Sequence, residues 1–254
     1  MTTRTVQVRP DLPITVTEAG EGRPALILHG GGGPFTVTSI ADHLAPTMHT
    51  IVPTHPGWNG APRPDSFTRV ADLADAYLEY LAANDLRDVL VIGSSMGGWI
   101  AAELASRAAE GVITALVLVN SAGVAIDGQG IRDFFALGPA EVAQYSFHDP
   151  AKFFRDPATI PAEQVAAQRA NMASMRIYAG DPYMHDPTLL GRLADITIPT
   201  LVVWGESDQI FPPAYGAGFA AGFPNARFEL VRDAGHLPQI EKPEETFALI
   251  DGLR

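Results

Sequence analysis

The strongest constraint on this chain is a short apolar run, residues 89–92, that leads into the pattern Gly-x-Ser-x-Gly centred on Ser95. A helical stretch, residues 99–109, follows it. In a strand-turn-helix of this kind the serine lies on a turn so tight that its backbone is strained, and its hydroxyl is exposed at the end of a sheet. Gly93 and Gly97 leave room for the strand and the helix to cross. The pattern therefore predicts Ser95 as a nucleophile.

Apolar strand-like runs alternate with helical stretches up to Asn120, and the alternation returns at Pro199. This rhythm is typical of a mostly parallel sheet with helices on both faces, so we predict an α/β protein. The first two strands are expected to form a hairpin. The predicted strands are residues 5–8, 14–18, 25–28, 50–52, 89–92, 115–119, 201–204 and 228–231, and the predicted helices are residues 69–83 and 213–223.

The stretch between residues 122 and 195 breaks this alternation. It contains Asp-Pro pairs that begin at Asp149, Asp156, Asp181 and Asp186. Asp followed by Pro is typical of a helix N-cap and first turn, so short helices are expected here. We interpret residues 122–195 as a helical cap, inserted into a core that residues 1–121 and 196–254 form.

Composition excludes several classes of partner. The formal net charge of −12 over 254 residues argues against nucleic acid and anionic membranes, because both would repel the average surface. The absence of cysteine excludes disulfides and thiolate metal sites. No apolar run approaches the ~18 residues of a membrane span, and the start does not resemble a secretory signal. We therefore expect a cytoplasmic protein with a small-molecule substrate, and a homodimer is left open.

A serine hydroxyl is a weak nucleophile at neutral pH, so Ser95 needs a neutral imidazole and a carboxylate to orient it. His236 follows the last predicted strand, and Asp208 follows the strand that ends at residue 204. Open parallel sheets place their chemistry at the carboxyl ends of the strands, where all three residues are expected. Glu206 and Asp233 are the competing carboxylates, and we favour Asp208 because its position gives the side chain room to reach inward.

The tetrahedral intermediate of acyl transfer needs donors for its oxyanion. Met96 opens the helix after the nucleophile, so its N–H is expected to be unpaired and at the positive end of the helix dipole. Gly31, in the run of four glycines after His29, offers a second backbone N–H. This run does not match a phosphate-binding loop or a dinucleotide fingerprint. We interpret His29 as a residue that braces the loop.

Four segments together resemble the α/β-hydrolase-fold superfamily over essentially the whole chain: residues 29–31, 93–98, 205–208 and 235–236. They occur in the order and at the spacings that are usual for this superfamily. The resemblance implies a roughly eight-stranded sheet, a helical cap between the sixth strand and the strand before Asp208, and neither a metal nor an organic cofactor.

The residues around the nucleophile favour hydrolysis of a carboxylic ester. A dehalogenase or an epoxide hydrolase of this superfamily would need Asp in place of Ser95. Hydrolases of carbon–carbon bonds in ring-fission products typically have Asn before the nucleophile and Trp after the histidine, where this chain has Ser94 and Leu237. Carbon–carbon bond hydrolysis, cofactor-free oxygenation or perhydrolysis, and ligand reception without turnover are the alternatives.

The substrate pocket is expected between the sheet edge and the cap. Aromatic residues and methionines are frequent in the cap, which suits a small, largely apolar acyl or aryl group. We expect Phe35 and Trp58 to line the entrance and Arg176 to bind a substrate carboxylate, if there is one. The complete set of expected substrate-binding residues is Phe35, Trp58, Phe134, Met172, Met175, Arg176 and Leu237.

Overall fold

The computed structural model describes residues 1–253, which contain one eight-stranded sheet. Its strands are β1 (Thr2–Arg9), β2 (Leu12–Ala19), β3 (Pro24–Leu28), β4 (His49–Pro53), β5 (Val89–Ser94), β6 (Ile113–Val119), β7 (Thr200–Gly205) and β8 (Ala226–Val231). They lie in the order β1-β2-β4-β3-β5-β6-β7-β8. The pairs β1–β2 and β2–β4 are antiparallel, and all other neighbours are parallel. The predicted mostly parallel sheet and its opening hairpin are confirmed.

Helices cover both faces of this sheet. The core helices are α1 (Thr38–Leu44), α2 (Val70–Ala83), α3 (Met96–Ala105), α8 (Pro213–Ala220), α9 (Pro238–Glu241) and α10 (Pro243–Asp251). Successive strand residues point to opposite faces. Leu26 therefore joins one apolar cluster with Ile100 of α3, whereas Ile27 joins a second cluster with Ile40 of α1 and Ile250 of α10. Burial on both faces explains why the central strands read as continuous apolar runs.

Two helices differ from their predicted bounds by three or more residues. The helix after the nucleophile begins at Met96 rather than at residue 99, because Ser95 itself is its N-cap with a φ of 57°. That helix ends at Ala105 rather than at residue 109, and Ser106 is its C-cap. The helix predicted at 213–223 ends at Ala220. The shorter helices leave the positions of the strand ends, and therefore of the site, unchanged.

Residues 122–195, called the insertion below, connect β6 to β7. They contain the helices α4 (Pro139–Ser146), α5 (Pro150–Phe153), α6 (Ala162–Ala179) and α7 (Leu189–Arg192). An ion-pair network joins the end of the insertion to α3. The buried carboxylate of Glu103 accepts hydrogen bonds from Arg192 at 2.8 and 2.9 Å and from Arg107 at 2.8 and 3.1 Å. Because Glu103 has two cationic partners, its burial is compensated.

Two features, a cluster of metal ligands and a membrane-spanning helix, do not occur in the part of the chain that the structure describes. Among residues 1–253, His, Asp and Glu side chains nowhere form a group of three or more that could hold a metal ion. No helix within the same residues combines the length and the apolar character that crossing a bilayer requires.

Candidate active site

Ser95 lies on the tight turn between β5 and α3, with a φ of 57° that is unusual for a residue other than glycine. Steric contacts explain the glycines around it. A Cβ on Gly93 would lie 2.2 Å from the carbonyl oxygen of Gly97, and a Cβ on Gly97 would lie 2.1 Å from the carbonyl oxygen of Leu28. Both contacts are backbone to backbone, so no side-chain rearrangement could relieve them. The motif therefore makes the close crossing of β5, α3 and β3 sterically allowed.

Three polar side chains from distant parts of the chain meet at the carboxyl edge of the sheet. The Nε2 atom of His236 lies 3.0 Å from the Oγ of Ser95, and its Nδ1 lies 2.8 Å from the Oδ2 of Asp208. All three residues are at least nine-tenths buried. A hydroxyl, an imidazole and a carboxylate in this relation can transfer a proton from the serine to the histidine.

Four hydrogen bonds hold the carboxylate of Asp208. Its Oδ1 accepts the backbone N–H groups of Ile210, at 2.8 Å, and of Phe211, at 3.1 Å. Its Oδ2 accepts the Nδ2–H of Asn120, at 2.7 Å, and the Nδ1–H of His236. Because Nδ1 donates, the bare Nε2 is the nitrogen that faces the Ser95 hydroxyl. The carboxylate thus selects both the orientation and the tautomer of the imidazole.

The two competing carboxylates lie elsewhere. The side chain of Glu206 is exposed. Asp233 is also exposed; its carboxylate forms an ion pair with Lys242 at 3.6 Å and lies 3.8 Å from the Nε2 atom of His148. The structure therefore brings Asp208, and neither of the alternatives, to the imidazole.

The insertion holds the loop that carries His236. The N–H of His236 donates to the carbonyl of Ser146, at the end of α4, at 2.5 Å. The N–H of Gly235 donates to the carboxylate of Glu241 at 2.5 Å, and the same carboxylate accepts the N–H of His148 at 2.9 Å. A Cβ on Gly235 would lie 2.1 Å from the Ser146 carbonyl oxygen. The histidine is thus positioned from the insertion as well as from the core.

The two predicted oxyanion donors flank Ser95. Met96 is the first residue of α3, and its N–H donates no hydrogen bond to any atom of residues 1–253. The N–H of Gly31 likewise has no acceptor within this part of the chain. The neighbouring Gly30 packs against the nucleophile, because a Cβ there would lie 2.9 Å from the Cβ of Ser95. Two unpaired amides beside a nucleophile can stabilise an oxyanion.

The glycine-rich loop after β3 is held by its carbonyl groups. Each of four consecutive carbonyls accepts a side-chain hydrogen bond: His29 from His55 Nε2 at 2.9 Å, Gly30 from His29 Nδ1 at 2.7 Å, Gly31 from Trp58 Nε1 at 2.9 Å, and Gly32 from Asn171 Nδ2 at 3.3 Å. Four glycines in succession lose much backbone entropy on ordering, and these bonds compensate for part of that cost.

Two buried histidines in this network are neutral. The Nε2 of His29 accepts the backbone N–H of His55, so its Nδ1 carries the proton that it donates to Gly30. Burial lowers the pKa of His55 to about 4 and lowers the pKa of His29 well below its ordinary value. Burial also raises the pKa of Tyr77, whose hydroxyl is paired with His55 Nδ1. The interpretation of His29 as a brace agrees with these contacts.

The expectation that Trp58 lines the entrance is wrong. Trp58 is fully buried, and its indole N–H holds the Gly31 carbonyl. Phe35, by contrast, is 64% exposed, and its ring lies beside Gly32. The Sδ of Met175 occupies the space above Gly31, where it would lie 2.2 Å from an added Cβ. Met175 is thus the predicted substrate-binding residue of the insertion whose side chain lies against Gly31.

The remaining predicted substrate-binding residues lie in other surroundings. Phe134 is buried against Phe135 and Tyr183. Arg176 is exposed; it donates to the Phe135 carbonyl at 3.1 Å and lies 4.6 Å from the centre of the Phe135 ring. Met172 and Leu237 are half-buried. Substrate contacts of these four residues stay predictions.

Three polar residues that contribute to the site were absent from the sequence predictions: Asn120, Asn171 and Glu241. Asn120 directly follows a buried strand, so the rule that suggested Asp208 could have suggested it as well. Asn171 begins an i, i+3, i+4, i+7 series on α6 that continues through Ser174, Met175 and Tyr178, and all four residues contact residues 31–33 or 56–59. Nothing in the sequence around Glu241 indicated its hydrogen bonds.

A comparison with known families assigns the chain. The model of the alpha/beta hydrolase family matches residues 25–249. The chain belongs to the alpha/beta hydrolase family. The match includes β5 and α3, which flank the nucleophile turn, and the loops that carry Asp208 and His236.

Individual relatives agree with this assignment. The chain is 29% identical over 252 residues to Lipase 3 of Moraxella sp. (strain TA144), and this alignment covers 92% of this chain and 79% of the lipase. It is 27% identical over 251 residues to a pimeloyl-(acyl-carrier protein) methyl ester esterase of Aromatoleum aromaticum (strain DSM 19018 / LMG 30748 / EbN1), covering 91% and 98%. A solved meta-cleavage product hydrolase, CumD, superimposes with a TM-score of 0.82 at 17% identity, covering 98% of this chain and 97% of that one, and shows the shared fold.

Proposed function

We propose that this protein is a serine hydrolase that cleaves a carboxylic ester through an acyl-enzyme. The observation that carries the proposal is the 3.0 Å contact between Ser95 Oγ and His236 Nε2, on an imidazole whose other nitrogen is held by Asp208. Ser95 attacks the ester carbonyl while its proton passes to His236. The tetrahedral intermediate then expels the alcohol, which takes that proton, and water releases the acid by the same steps.

The amides of Gly31 and Met96 are proposed to bind the oxyanion in both tetrahedral intermediates. Donors that are already in place cost no reorganisation when negative charge develops. The N-terminus of α3 adds the positive end of the helix dipole at the same point. Trp58 supports Gly31 on the side of its carbonyl. The indole N–H donates to that carbonyl and thereby restrains the backbone of the residue whose N–H is the proposed donor.

The substrate is proposed to be small and largely apolar. The nucleophile is only 6% exposed, and the side chain above the oxyanion loop is the thioether of Met175, which is itself 3% exposed. Burial of apolar surface would drive binding of an apolar acyl group there. Two relatives carry the names of a lipase and of a methyl ester esterase, which supports an ester as the bond cleaved.

Hydrolysis of p-nitrophenyl acetate and butyrate, combined with fluorophosphonate labelling, tests this proposal. We expect Ser95→Ala to lose the label and to lower kcat by about 10⁴-fold or more, because the nucleophile and its proton relay act as a unit. Ser66→Ala is the matched control, since Ser66 is an exposed serine away from the site, and it should keep full activity. Near-full activity of Ser95→Ala would contradict the proposal.

The same protein preparation can separate the alternative reactions. A panel of lactones, amides and β-diketones compares ester cleavage with cleavage of other acyl bonds and of carbon–carbon bonds. Oxygen consumption detects oxygenation, and added hydrogen peroxide detects perhydrolysis. We expect p-nitrophenyl esters to give the highest kcat/KM, and a β-diketone that exceeds them would replace ester hydrolysis by carbon–carbon bond hydrolysis.

A further inference from the structure

Asn120 is a buried polar residue whose side chain lies directly behind the triad. It follows β6 at the carboxyl edge of the sheet, and its backbone has a φ of 43°. Asn adopts this left-handed region more readily than most other residues. Its side chain is fully buried, so each of its polar atoms needs a partner.

The contacts of Asn120 determine which way its amide points. Its Oδ1 accepts the backbone N–H of Gly205, at 3.1 Å, and its Nδ2 donates to Asp208 Oδ2, at 2.7 Å. The Gly205 contact requires an oxygen, so the amide cannot be reversed, and its N–H must face the carboxylate. The same Nδ2 lies 3.5 Å from the carbonyl oxygen of Gly235, beside His236. One amide therefore joins the ends of β6 and β7 to the loop of the imidazole.

We infer that Asn120 is a positioning residue for the proposed triad. It acts through its hydrogen bond to Asp208. The Oδ2 atom of Asp208 receives the Asn120 donor and the His236 donor together, whereas Oδ1 is held by two backbone N–H groups. Rotation of the carboxylate would break these bonds. Asn120 thus restrains Oδ2 to the place from which it accepts Nδ1–H, which keeps Nε2 directed at Ser95.

This inference rests on the proposed function, and Asn120→Asp tests it. The substitution keeps size and suits the left-handed backbone, but it replaces the donor by an oxygen opposite Asp208 Oδ2. We expect kcat on p-nitrophenyl butyrate to fall by about 10- to 100-fold, the effect typical of a misplaced catalytic group, while KM changes by less than about twofold. The rate of fluorophosphonate labelling of Ser95 should fall in parallel.

A double-mutant cycle separates positioning from a general structural role. In the Asp208→Asn background the new carboxylate at position 120 meets an amide, so the hydrogen bond between the two side chains is restored with reversed polarity. We expect Asn120→Asp to lower kcat by less than about threefold in that background. Equal losses in the two backgrounds would overturn the inference, because a residue that acts through Asp208 cannot lose the same factor after the carboxylate is removed.

Two controls make the outcome unambiguous. Asn225→Asp removes an amide donor from an exposed site, where Nδ2 contacts the Thr197 carbonyl at 2.7 Å, and should leave kcat and labelling unchanged. Ser95→Ala reports on the function itself. If Ser95→Ala keeps activity, the proposed function fails; if it is inactive while the cycle is additive, only the role of Asn120 fails.

Discussion

The two sides of the active site are held in place by different kinds of contact. The nucleophile side comprises β5, α3 and the loop of residues 29–36, and the imidazole side comprises residues 205–211 and 232–241. On the nucleophile side, glycines permit backbone segments to touch, as Gly97 does against the Leu28 carbonyl. On the imidazole side, Asp208 and the loop of His236 are held by hydrogen bonds with Asn120, Glu241 and the end of α4. Side-chain hydrogen bonds on the nucleophile side are made to the loop of residues 29–36.

This difference has consequences for what each side tolerates. Backbone packing in the core cannot relax without moving whole strands, so the nucleophile side should respond to added volume with loss of stability. The hydrogen bonds of the imidazole side orient the buried side chains of Asp208 and His236 at the carboxyl edge of the sheet and do not hold strands together. Their loss should reduce catalysis more than it reduces stability. Substitutions on the two sides should therefore separate effects on stability from effects on catalysis.

The largest expected effect is on the imidazole side. In Asp208→Asn, the oxygen of the new amide must stay opposite the N–H groups of Ile210 and Phe211, so its NH₂ group faces His236. The imidazole then carries its proton on Nε2 and cannot accept the proton of Ser95, and we expect kcat to fall by about 10⁴-fold.

Steady-state kinetics on p-nitrophenyl butyrate and a thermal unfolding curve measure the two consequences of Asp208→Asn. The free energy of unfolding should fall by about 1 to 3 kcal/mol, because the buried hydrogen bond from Asn120 is lost, and Glu206→Gln, at an exposed carboxylate two positions away, should keep its activity. A larger loss of stability would show that Asp208 is needed for folding as well as for catalysis.

The second effect concerns stability on the nucleophile side. Gly97→Ala places a Cβ 2.1 Å from the backbone oxygen of Leu28, and we expect it to lower the free energy of unfolding by about 3 kcal/mol or more. Gly130→Ala is the matched control, because a Cβ at Gly130 meets nothing within 4 Å. Urea denaturation followed by circular dichroism measures both.

Gly235→Ala is the counterpart on the imidazole side. Its Cβ would lie 2.1 Å from the Ser146 carbonyl oxygen, which belongs to the insertion rather than to a central strand. We expect a smaller loss of stability than for Gly97→Ala, because the end of α4 can move without displacing the sheet. Equal losses for the two variants would show that the insertion is as rigid as the core.

The third effect is a pH dependence of stability on the nucleophile side. Burial lowers the pKa of His55 from 6.5 to about 4, so the unfolded chain binds a proton that the folded chain does not bind between these values. This contribution to stability is complete above pH 6.5 and decreases as the pH falls to about 4. For His55 it amounts to about 3 kcal/mol, and His29, whose pKa burial also lowers well below its ordinary value, acts in the same direction.

Urea denaturation at pH 7.0, 5.5 and 4.5 measures this dependence. His55→Gln removes one titrating group while it keeps an N–H donor for the His29 carbonyl, so its stability should fall less steeply with decreasing pH. The same pH dependence in the wild type and in His55→Gln would contradict the assignment of the effect to this buried imidazole.

The smallest expected effect comes from Trp58→Phe. It removes the donor to the Gly31 carbonyl while most of the buried ring remains, so the backbone of Gly31, whose own N–H is the proposed oxyanion donor, loses one restraint on its carbonyl side. We expect kcat to fall by about tenfold and KM to stay within about twofold. The oxygen of the substrate's ester carbonyl carries more negative charge in the transition state than in the bound substrate, so the oxyanion donor contributes mainly to kcat.

Tyr178→Phe is the comparison for Trp58→Phe, because it removes a hydroxyl that donates to Pro56, one step farther from the oxyanion loop, at 3.1 Å. Its effect on kcat should be smaller. If Tyr178→Phe lowers kcat as much as Trp58→Phe does, support of the loop is not specific to the Gly31 carbonyl.

The sequence predicted the nucleophile side of the site more completely than the imidazole side. The turn at Ser95 requires glycines at defined spacing from the serine, so its geometry could be read from a few consecutive residues. His236 and Asp208 could be proposed because both follow strands of a parallel sheet. The role of Asn120 could not, since it depends on contacts with Gly205 and Asp208, more than eighty positions away.

The aromatic residues show the same division. Trp58 and Met175 were both predicted to contact substrate from their position near loops or in the cap. The structure places Trp58 in the core as a hydrogen-bond donor and Met175 above the oxyanion loop. Apolar character indicates that a side chain is buried, but it does not indicate which surface buries it.

The mostly parallel sheet, the strained turn at Ser95 and the strand ends at which chemistry can occur could all be predicted from the sequence. These features follow from apolar periodicity and from steric limits between neighbouring residues, which act locally. Only the tertiary structure decided that Asp208, and neither Glu206 nor Asp233, meets the imidazole, and that α6 lies over residues 31–33. Those outcomes depend on the directions of hydrogen bonds between segments that the chain brings together only when it is folded.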